Sequence, residues 1–286
     1  TFGPVGWNRL GHDIDGEATS DQSGYSVSLS ADGLTVAIGA RQNNSGTGHV
    51  RVYQYDSTKT TADDVQSSAT FGPVGWNRVG HDIDGEASNN YSGHSVSLSA
   101  DGLTVAIGAT GNNSSTGHVR VYQREYTKTT ADTVQSSATF GPVGWNRVGH
   151  DIDGEASNNY SGHSVSLSAD GLTVAIGATG NNSSTGHVRV YQREYTKTTA
   201  DTVQSSATFG PVGWNRLGHD IDGEATSDQS GYSVSLSADG LTVAIGARQN
   251  NSGTGHVRVY QYDSTKTTAD TDESSATFGP VGWNRV

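Results

Sequence analysis

The sequence predicts an all-β fold built from repeated four-stranded antiparallel sheets, and three observations lead to that class. First, the phrase Thr-Phe-Gly-Pro-Val-Gly-Trp-Asn-Arg recurs every 69 residues, from Thr1 to Thr277. Second, each repeat contains short segments in which apolar and polar residues alternate, which is the period of a β-strand. Third, no segment carries apolar residues at the i, i+3, i+4, i+7 spacing of an amphipathic helix. Together they indicate a tandem array of small β units.

Four whole repeats and the start of a fifth make up the 286 residues, and we expect them to form one domain. The repeats are residues 1–69, 70–138, 139–207 and 208–276, with 277–286 as a partial fifth repeat that carries an extra outer strand. The second and third repeats are identical, whereas the first and fourth differ from each other at only three positions. The order of types is A-B-B-A. Such identity indicates either a recent tandem duplication or a deliberately symmetrised sequence.

Each strand of the first repeat follows from its residues. Val5–Leu10 follows a Gly-Pro pair, Tyr25–Ser30 and Thr35–Ala40 alternate in polarity or size, and His49–Tyr55 is rich in β-branched and aromatic residues. Between the second and third of these segments, Ser30-Ala31-Asp32-Gly33 is a tight-turn signal, because Asp bonds its own backbone and Gly adopts positive φ. The long polar segment that follows Thr58 is expected to run over the surface to the next outer strand.

The strand Thr35–Ala40 predicts how neighbouring sheets pack. Val36 and Ile38 lie on one face, and the small residues Ala37 and Gly39 lie on the other, with no charge on either. A sheet pressed between two similar sheets needs such faces, because the bulky face of one fills the shallow face of the next. Blades arranged about an axis pack in this way, so we predict a β-propeller of four-stranded blades. A β-solenoid is the alternative, but its rungs are shorter than 69 residues.

Three strings of the repeat resemble the FG-GAP repeat, the blade unit of integrin-α-type β-propellers. They are Asp21 to Ser30, Leu34 to Ala40 and Gly48 to Tyr53, and they recur in all four units. The resemblance implies a propeller fold and a surface-protein setting. The calcium loop of that family is reduced here to Ser30–Gly33, which is too short to supply the six to eight oxygens that calcium prefers. We therefore expect no calcium at this turn.

Composition excludes several classes of function. The chain has no cysteine, so disulfides and thiolate chemistry are absent. A formal charge of −12 disfavours nucleic acid, whose phosphates require clustered lysine and arginine. No run approaches the roughly 20 apolar residues of a membrane helix, so we expect no membrane insertion. We predict no cofactor.

The two ends of the chain raise a question of closure. A ring of four blades needs four outer strands, but the Trp-Asn-Arg phrase occurs five times, at Trp7, Trp76, Trp145, Trp214 and Trp283. One terminal copy is therefore redundant, or it pairs with another molecule, because an unpaired strand edge invites such pairing. As an alternative, two chains pool their units into an eight-bladed ring.

Two sets of residues are candidate metal ligands. His12, Asp13 and Asp15 recur in every unit, and a histidine near two carboxylates suits a hard metal ion. The spacing matches no complete metal motif, and a turn with solvated acids is the simpler interpretation. His94 and His163 replace Tyr25 and Tyr232 at the start of the innermost strand. A histidine pair at the mouth of the central channel would bind a transition metal or respond to pH, and packing variation is the alternative.

Aromatic residues suggest a sugar-binding alternative. Trp7, Trp76, Trp145 and Trp214, with Arg51 and Tyr53, provide the residue types of a glycan platform between blades. Tryptophan on an outer strand more often serves as a wedge between blades. Catalysis needs one asymmetric set of distinct groups, which near-identical repeats do not offer, so we do not expect an enzyme. The sequence predicts a non-catalytic propeller scaffold, engineered or symmetrised, or alternatively a natural surface or adhesion module that binds glycans or proteins multivalently. Its location would be extracellular in the natural case.

Overall fold

The computed structural model describes residues 6–68 and 70–286, and it confirms an all-β chain of four-stranded antiparallel blades. In the first blade, β1 (Ser23–Leu29), β2 (Thr35–Ala40), β3 (His49–Tyr55) and β4 (Trp76–Arg78) pair in that order. The short β5 (Ile83–Asp84) pairs with the other half of β3. The outer strand of each blade therefore comes from the start of the next repeat.

The other blades repeat this arrangement. The second contains β6 (Ser92–Leu98), β7 (Thr104–Ala109), β8 (His118–Arg124), β9 (Trp145–Arg147) and β10 (Ile152–Asp153). The third contains β11 (Ser161–Leu167), β12 (Thr173–Ala178), β13 (His187–Arg193), β14 (Trp214–Arg216) and β15 (Ile221–Asp222). The fourth contains β16 (Ser230–Leu236), β17 (Thr242–Ala247), β18 (His256–Tyr262) and β19 (Trp283–Arg285).

Four single-turn helices lie between the second and third strands of the blades. They are α1 (Asn43–Gly46), α2 (Asn112–Ser115), α3 (Asn181–Ser184) and α4 (Asn250–Gly253). Each is kinked, since its second and third residues have positive φ, as at Asn44 and Ser45. Among the described residues no helix is long and apolar enough to span a membrane.

The structure contains the predicted turn at Ser30–Gly33 and the predicted packing of large on small sheet faces. Gly33 has a φ of +71° and donates its N–H to the Ser30 carbonyl at 3.0 Å, which closes the turn between β1 and β2. Adjacent blades pack the small face of one against the large face of the next. Ala37, Val50 and Val52 of the first blade contact a bulky layer of the second that contains Val96, Leu98, Val105 and Ile107. The same layers meet at the next two junctions.

The predicted strand Val5–Leu10 is wrong where it can be observed. Residues 1–5 lie outside the described part, and residues 6–10 form no strand. The equivalent strands β4, β9, β14 and β19 contain only the Trp-Asn-Arg residues, because a tight turn at the preceding Pro-Val-Gly precedes each of them. Trp283 pairs with Tyr262 and completes the fourth blade, whereas Trp7 is 77% exposed. The extra copy is therefore the one at the beginning of the chain.

The four blades form an open fan. Inner strands β1, β6, β11 and β16 lie side by side in that order. The first and last blades do not cover each other, since Val27 on β1 is 64% exposed and Val257 on β18 is 68% exposed. The described residues of one chain therefore do not form a closed four-bladed ring, and the number of blades per ring stays open between one chain and two.

Candidate functional site

A charged cluster with a buried histidine and a buried arginine lies on the third strand of each of the first three blades, with an exposed glutamate and a half-buried aspartate. In the second blade, Arg120 donates from Nη2 to Asp151 Oδ2 at 2.9 Å and from Nε to Asp151 Oδ1 at 3.0 Å. Arg120 also contacts the Glu86 carboxylate, and His118 Nδ1 lies 3.9 Å from Asp151. We call this set the Glu-His-Arg-Asp cluster. Its three described copies are Glu17/His49/Arg51/Asp82, Glu86/His118/Arg120/Asp151 and Glu155/His187/Arg189/Asp220.

Strand register brings these residues together. The short strand β10 pairs with β8, which sets Asp153 opposite His118 and Ile152 opposite Val119. Asp151 precedes this strand and so reaches Arg120. The aspartate thus comes from the repeat after the one that supplies the other three residues. Arg147 adds a second cation, whose Nη1 lies 2.6 Å from Asp151 Oδ1.

Burial and ion pairing set the charges of the cluster. Burial lowers the pKa of His118 to about 4, so its imidazole is neutral near pH 7. Burial tends to raise the pKa of Asp151, but the hydrogen bond and charge of Arg120 outweigh it and the pKa lies below its ordinary value. Burial, and then the nearby Asp151 and Glu86, raise the pKa of Asp153 to about 6.

The acids and histidine of each cluster lie close enough for a metal ion, since one ligand atom from each lies within 4.8 Å of the others. However, the Arg120 guanidinium already bonds both carboxylates, and an incoming cation would have to displace it. A buried positive charge at the centre of the acids does not suit a divalent cation. The cluster is therefore better described as a buried ion-pair network.

The structure does not bring His12, Asp13 and Asp15 together as a metal site. His12 is exposed, and its equivalents His81, His150 and His219 are exposed too. Asp13 forms an exposed ion pair with Arg9 at 3.3 Å. The metal-site prediction grouped neighbours in sequence. The structure instead groups Asp82, the equivalent of Asp13, with residues of the preceding repeat.

His94 and His163 lie side by side in a row of rings on the inner strands. Ring centroids are 5.2 Å apart for Tyr25–His94, 4.9 Å for His94–His163 and 4.6 Å for His163–Tyr232. Burial, followed by the charge of His163, lowers the pKa of His94 to about 4. His163 Nδ1 lies 3.2 Å from the Tyr232 carbonyl oxygen. The ring contacts fit the packing interpretation of these positions.

Arginines cover both ends of this aromatic row. The Arg41 guanidinium lies 3.8 Å from the Tyr25 ring centroid, and that of Arg248 lies 4.0 Å from the Tyr232 ring centroid. Both arginines belong to type A repeats, and type B repeats have threonine at this position. The A-B-B-A order thus places the cations at the two ends of the row.

The tryptophans act as wedges between blades. Trp145 and Trp214 are fully buried, and Trp76 is 8% exposed. Each indole N–H donates to a backbone carbonyl contributed by the preceding repeat, as from Trp145 Nε1 to the Val79 oxygen at 3.0 Å. Of the residues predicted as a sugar platform, Arg51 and Tyr53 are also buried, with Arg51 Nη1 donating to the Tyr53 hydroxyl at 3.3 Å. Only Trp7 presents an open ring face.

Clefts lie above the first and third clusters. The cleft in the first repeat measures about 400 Å³, and the cleft in the third about 270 Å³. The third-repeat cleft is lined by the acidic turn 151–155, by Arg189 and Tyr191, and by Phe209 to Pro211. Sequence reasoning missed Glu17 and Asp82 as partners of His49 and Arg51. The available signal was a histidine and an arginine on one face of an otherwise apolar strand.

Blades, junctions and clusters together define a repeat protein of the β-propeller class. No family model matches the chain, and no curated protein matches it. Among solved structures, it is similar to the periplasmic gluconolactonase of Pseudomonas aeruginosa, at 14% identity and a TM-score of 0.45, over 83% of this chain and 53% of the other. It is also similar to TolB from Acinetobacter baumannii, at 15% identity and a TM-score of 0.40, over 85% of this chain and 41% of the other.

A third similar structure is the β-propeller domain of the Trilobed protease from Pyrococcus furiosus. It shares 10% identity and a TM-score of 0.31 over 87% of this chain and 71% of that one. The chain spans about half the length of the gluconolactonase and less than half that of TolB.

Proposed function

We propose that the chain is a non-catalytic scaffold of near-symmetric blades. One observation carries the proposal: the Arg120 guanidinium bonds both Asp151 and Glu86, so the best-built polar cluster has its charges paired internally. The third blade has the same pairing, with Arg189 contacting Glu155 and Asp220, whereas in the first blade Arg51 lies 3.7 Å from Glu17 and bonds the Asp15 carbonyl instead of the aspartate. Catalysis needs a set of different groups that are free to contact a substrate. Charges that are already paired with one another instead hold neighbouring blades in register.

The origin and family of the scaffold belong to the same proposal. Identity of the second and third repeats at all 69 positions supports a symmetrised, engineered sequence. The FG-GAP resemblance of the inner strands supports a natural surface module instead. Both origins are compatible with a scaffold that performs no chemistry.

The scaffold proposal is tested by seeking turnover. Asp84 and Asp153, whose pKa values are both raised to about 6, are the groups best suited to act as a general base. We expect hydrolysis of sugar lactones and activated esters to proceed at the buffer rate with the purified chain. Turnover that disappears in the double variant Asp84→Asn/Asp153→Asn, but persists in the surface variant Glu273→Gln, would overturn the proposal and identify an enzyme.

A second candidate function is multivalent binding of glycans or proteins. The repeated cleft favours it, because carboxylates, an arginine and an aromatic edge recur around a cavity of about 400 Å³ in the first repeat. A glycan array probed with the labelled chain tests it. Equal weakening of binding by Phe71→Ala and Phe209→Ala, which line the two clefts, would support equivalent sites. If the chain retains no glycan and no protein ligand, this candidate is excluded.

A further inference from the structure

The two end blades present apolar sheet faces that no other described blade covers, although Ile14 packs beside Ile38 at the edge of the first. On the first blade, Val27 is 64% exposed and Leu29 is 59% exposed. We call Val27, Leu29, Val36 and Ile38 the front face. On the last blade, Val257 is 68% exposed. We call Ala244, Gly246, Val257 and Val259 the back face. Exposed apolar patches of this kind mark interaction surfaces.

The chain itself shows what each face fits. At the first internal junction, Val96 and Leu98 are 8% and 7% exposed, and they occupy the same repeat positions as Val27 and Leu29. They pack on Val50 and Val52, which occupy the same positions as Val257 and Val259. The front face is therefore the counterpart of the back face, and the match occurs three times within one chain.

Hydrogen bonds across the junctions repeat with the same pattern. Ser26, Ser95 and Ser164 each donate from Oγ to a glycine carbonyl of the next blade, at 2.8, 2.7 and 2.8 Å. Among residues 6–68 and 70–286, Ser233 at the equivalent position of the last blade makes no such bond. Its counterpart acceptor would be the carbonyl of Gly24 on a first blade.

At each junction, a glycine on the second strand leaves room for the glycine carbonyl of the next blade, and we call this space the notch. A Cβ on Gly39, Gly108 or Gly177 would lie 2.2, 2.1 or 2.1 Å from a carbonyl oxygen of the next blade. A Cβ on Gly246 would meet only atoms of Ser233 in its own blade. The notch is thus present on the back face and is unfilled by the described residues.

The last blade also lacks one strand. The first three blades each have a short fifth strand, β5, β10 or β15, paired with the third strand. In the described residues β18 has no such partner. The equivalent of β5 at the beginning of the chain is Ile14–Asp15, which forms no strand. Pairing it with β18 of another copy would cover Val257, as Ile83 covers Val50.

The fourth charged cluster is incomplete in the same way. Glu224, His256 and Arg258 are present, but among the described residues no aspartate contacts Arg258 as Asp151 contacts Arg120. Arg285 Nη1 approaches Glu224 Oε1 at 3.5 Å instead. The equivalent aspartate in the first repeat is Asp13, which is exposed. The fourth cluster thus lacks a described aspartate, and Asp13 is an equivalent aspartate that lies in no described cluster.

From these observations we propose that two copies associate head to tail, front face on back face, into an eight-bladed ring. Residues 13–15 of each copy complete the last blade of the other. Unlike faces that join head to tail give a closed ring or an open chain of copies. Closure at two copies gives eight blades, the upper end of the usual propeller range, and three copies would exceed it.

The duplicated terminal phrase fits this arrangement. Each junction between copies offers one outer-strand position on β18, and both Trp283 and the partner copy's Trp7 have the sequence for it. Trp283 already occupies that position, with its indole N–H donating to the Leu217 carbonyl at 3.0 Å. The initial Trp-Asn-Arg copy is therefore displaced, and removing residues 1–9 should leave association intact.

The mass of the 286-residue chain in solution tests the number of copies. Light scattering after size exclusion should give twice 29.8 kDa, unchanged on dilution through the micromolar range. A mass of one chain at every concentration would overturn the proposal, as would a mass that keeps increasing with concentration, which indicates an open polymer.

Two substitutions test which faces meet. Val27→Asp and Val257→Asp each place an unpaired charge in both junctions of a dimer of identical copies, so each variant should run as one chain, with a dissociation constant raised about tenfold or more. Val134→Asp, at a valine that is 60% exposed on an outer loop, is the matched control and should remain paired. Circular dichroism checks that all three variants are folded.

Mixing the two variants separates head-to-tail pairing from other arrangements. In a mixed pair, one junction contains both aspartates and the other contains none, so the mixture should form a dimer that neither variant forms alone. A dimer that joins front face to front face would be broken by Val27→Asp, unaffected by Val257→Asp and not rescued on mixing. That result would overturn the proposal.

The exchange of residues 13–15 is tested separately. Asp13→Asn removes the charge that would complete the fourth cluster and should raise the dissociation constant several-fold. Asp64→Asn, on an exposed loop of the same repeat, is the control and should have no effect. Equal dissociation constants for these two variants would overturn the exchange.

Discussion

The end blades and the central blades contain nearly the same residues in different surroundings. Val27 and Val96 lie in the same Ser-Val-Ser-Leu strand, yet Val27 is 64% exposed and Val96 is 8% exposed. Local sequence sets the strand, the turn and the large and small faces. Burial depends on whether another blade follows, which is a property of position in the array. The repeats thus provide an internal control for each junction contact.

Tryptophan substitutions should give the largest difference in the free energy of unfolding between interior and terminal positions. Trp145→Ala should lower the free energy of unfolding by about 4 kcal/mol, because it empties a buried wedge and removes the bond to the Val79 carbonyl. Trp7→Ala should change it little, since that ring is 77% exposed. Urea unfolding monitored by circular dichroism gives both values. Equal losses would mean that the terminal copy is packed in solution.

Glycine-to-alanine substitutions should give the next largest difference in stability between an interior junction and the uncovered last blade. Gly108→Ala places a Cβ against the Gly162 carbonyl and should cost about 2 kcal/mol through overpacking. Gly246→Ala lacks that carbonyl and should cost less. Both are best compared by thermal unfolding in the Val27→Asp background, which keeps the end faces uncovered. A larger loss at Gly246 would contradict the assignment of the notch.

Acid should weaken the central blades through His118. Its pKa is about 4 in the fold and 6.5 when unfolded, so between these values the unfolded chain binds more protons and stability decreases as pH falls. The loss at pH 5 should be about 2 kcal/mol relative to pH 7.5. In His118→Gln this contribution should disappear from urea unfolding measured at both pH values. Parallel pH profiles would show that the histidine charges freely in the fold.

The smallest effect concerns one hydrogen bond. Ser95 Oγ donates to the Gly162 carbonyl at 2.7 Å across a buried junction, so Ser95→Ala should cost about 1 kcal/mol. Ser233→Ala, at the exposed equivalent, should be neutral in a monomeric background. Thermal unfolding of the two variants provides the comparison. A neutral Ser95→Ala would indicate that water replaces this bond.

Much of the blade could be predicted from local patterns, and the cluster could not. Alternation gave β2 and β3 with their observed bounds, and the contrast of Val36 and Ile38 with Ala37 and Gly39 gave the packing of faces. The outer strand was predicted too long, because a tight turn limits it to Trp-Asn-Arg. The Glu-His-Arg-Asp cluster depends on the register between β3 and a strand of the next repeat, and no local pattern in the sequence encodes that register.

Closure was the hardest feature to predict. Counting five Trp-Asn-Arg phrases showed that one was surplus, but which one depends on whether β18 has a free partner position. Trp283 occupies that position because it follows β18 along the same chain, so its pairing requires no second molecule. Trp7 has no preceding blade within the described residues.

Because the junctions between blades are identical, the number of repeats in the gene can change without changing the kind of contact between blades. Because every interior contact is made between the same positions of successive units, a gene could gain or lose 69 codons by slippage without creating an unfamiliar interface. In the proposed ring, such a change would alter only how many chains are needed to complete it. Assembly size would then be a number that evolution adjusts in whole steps.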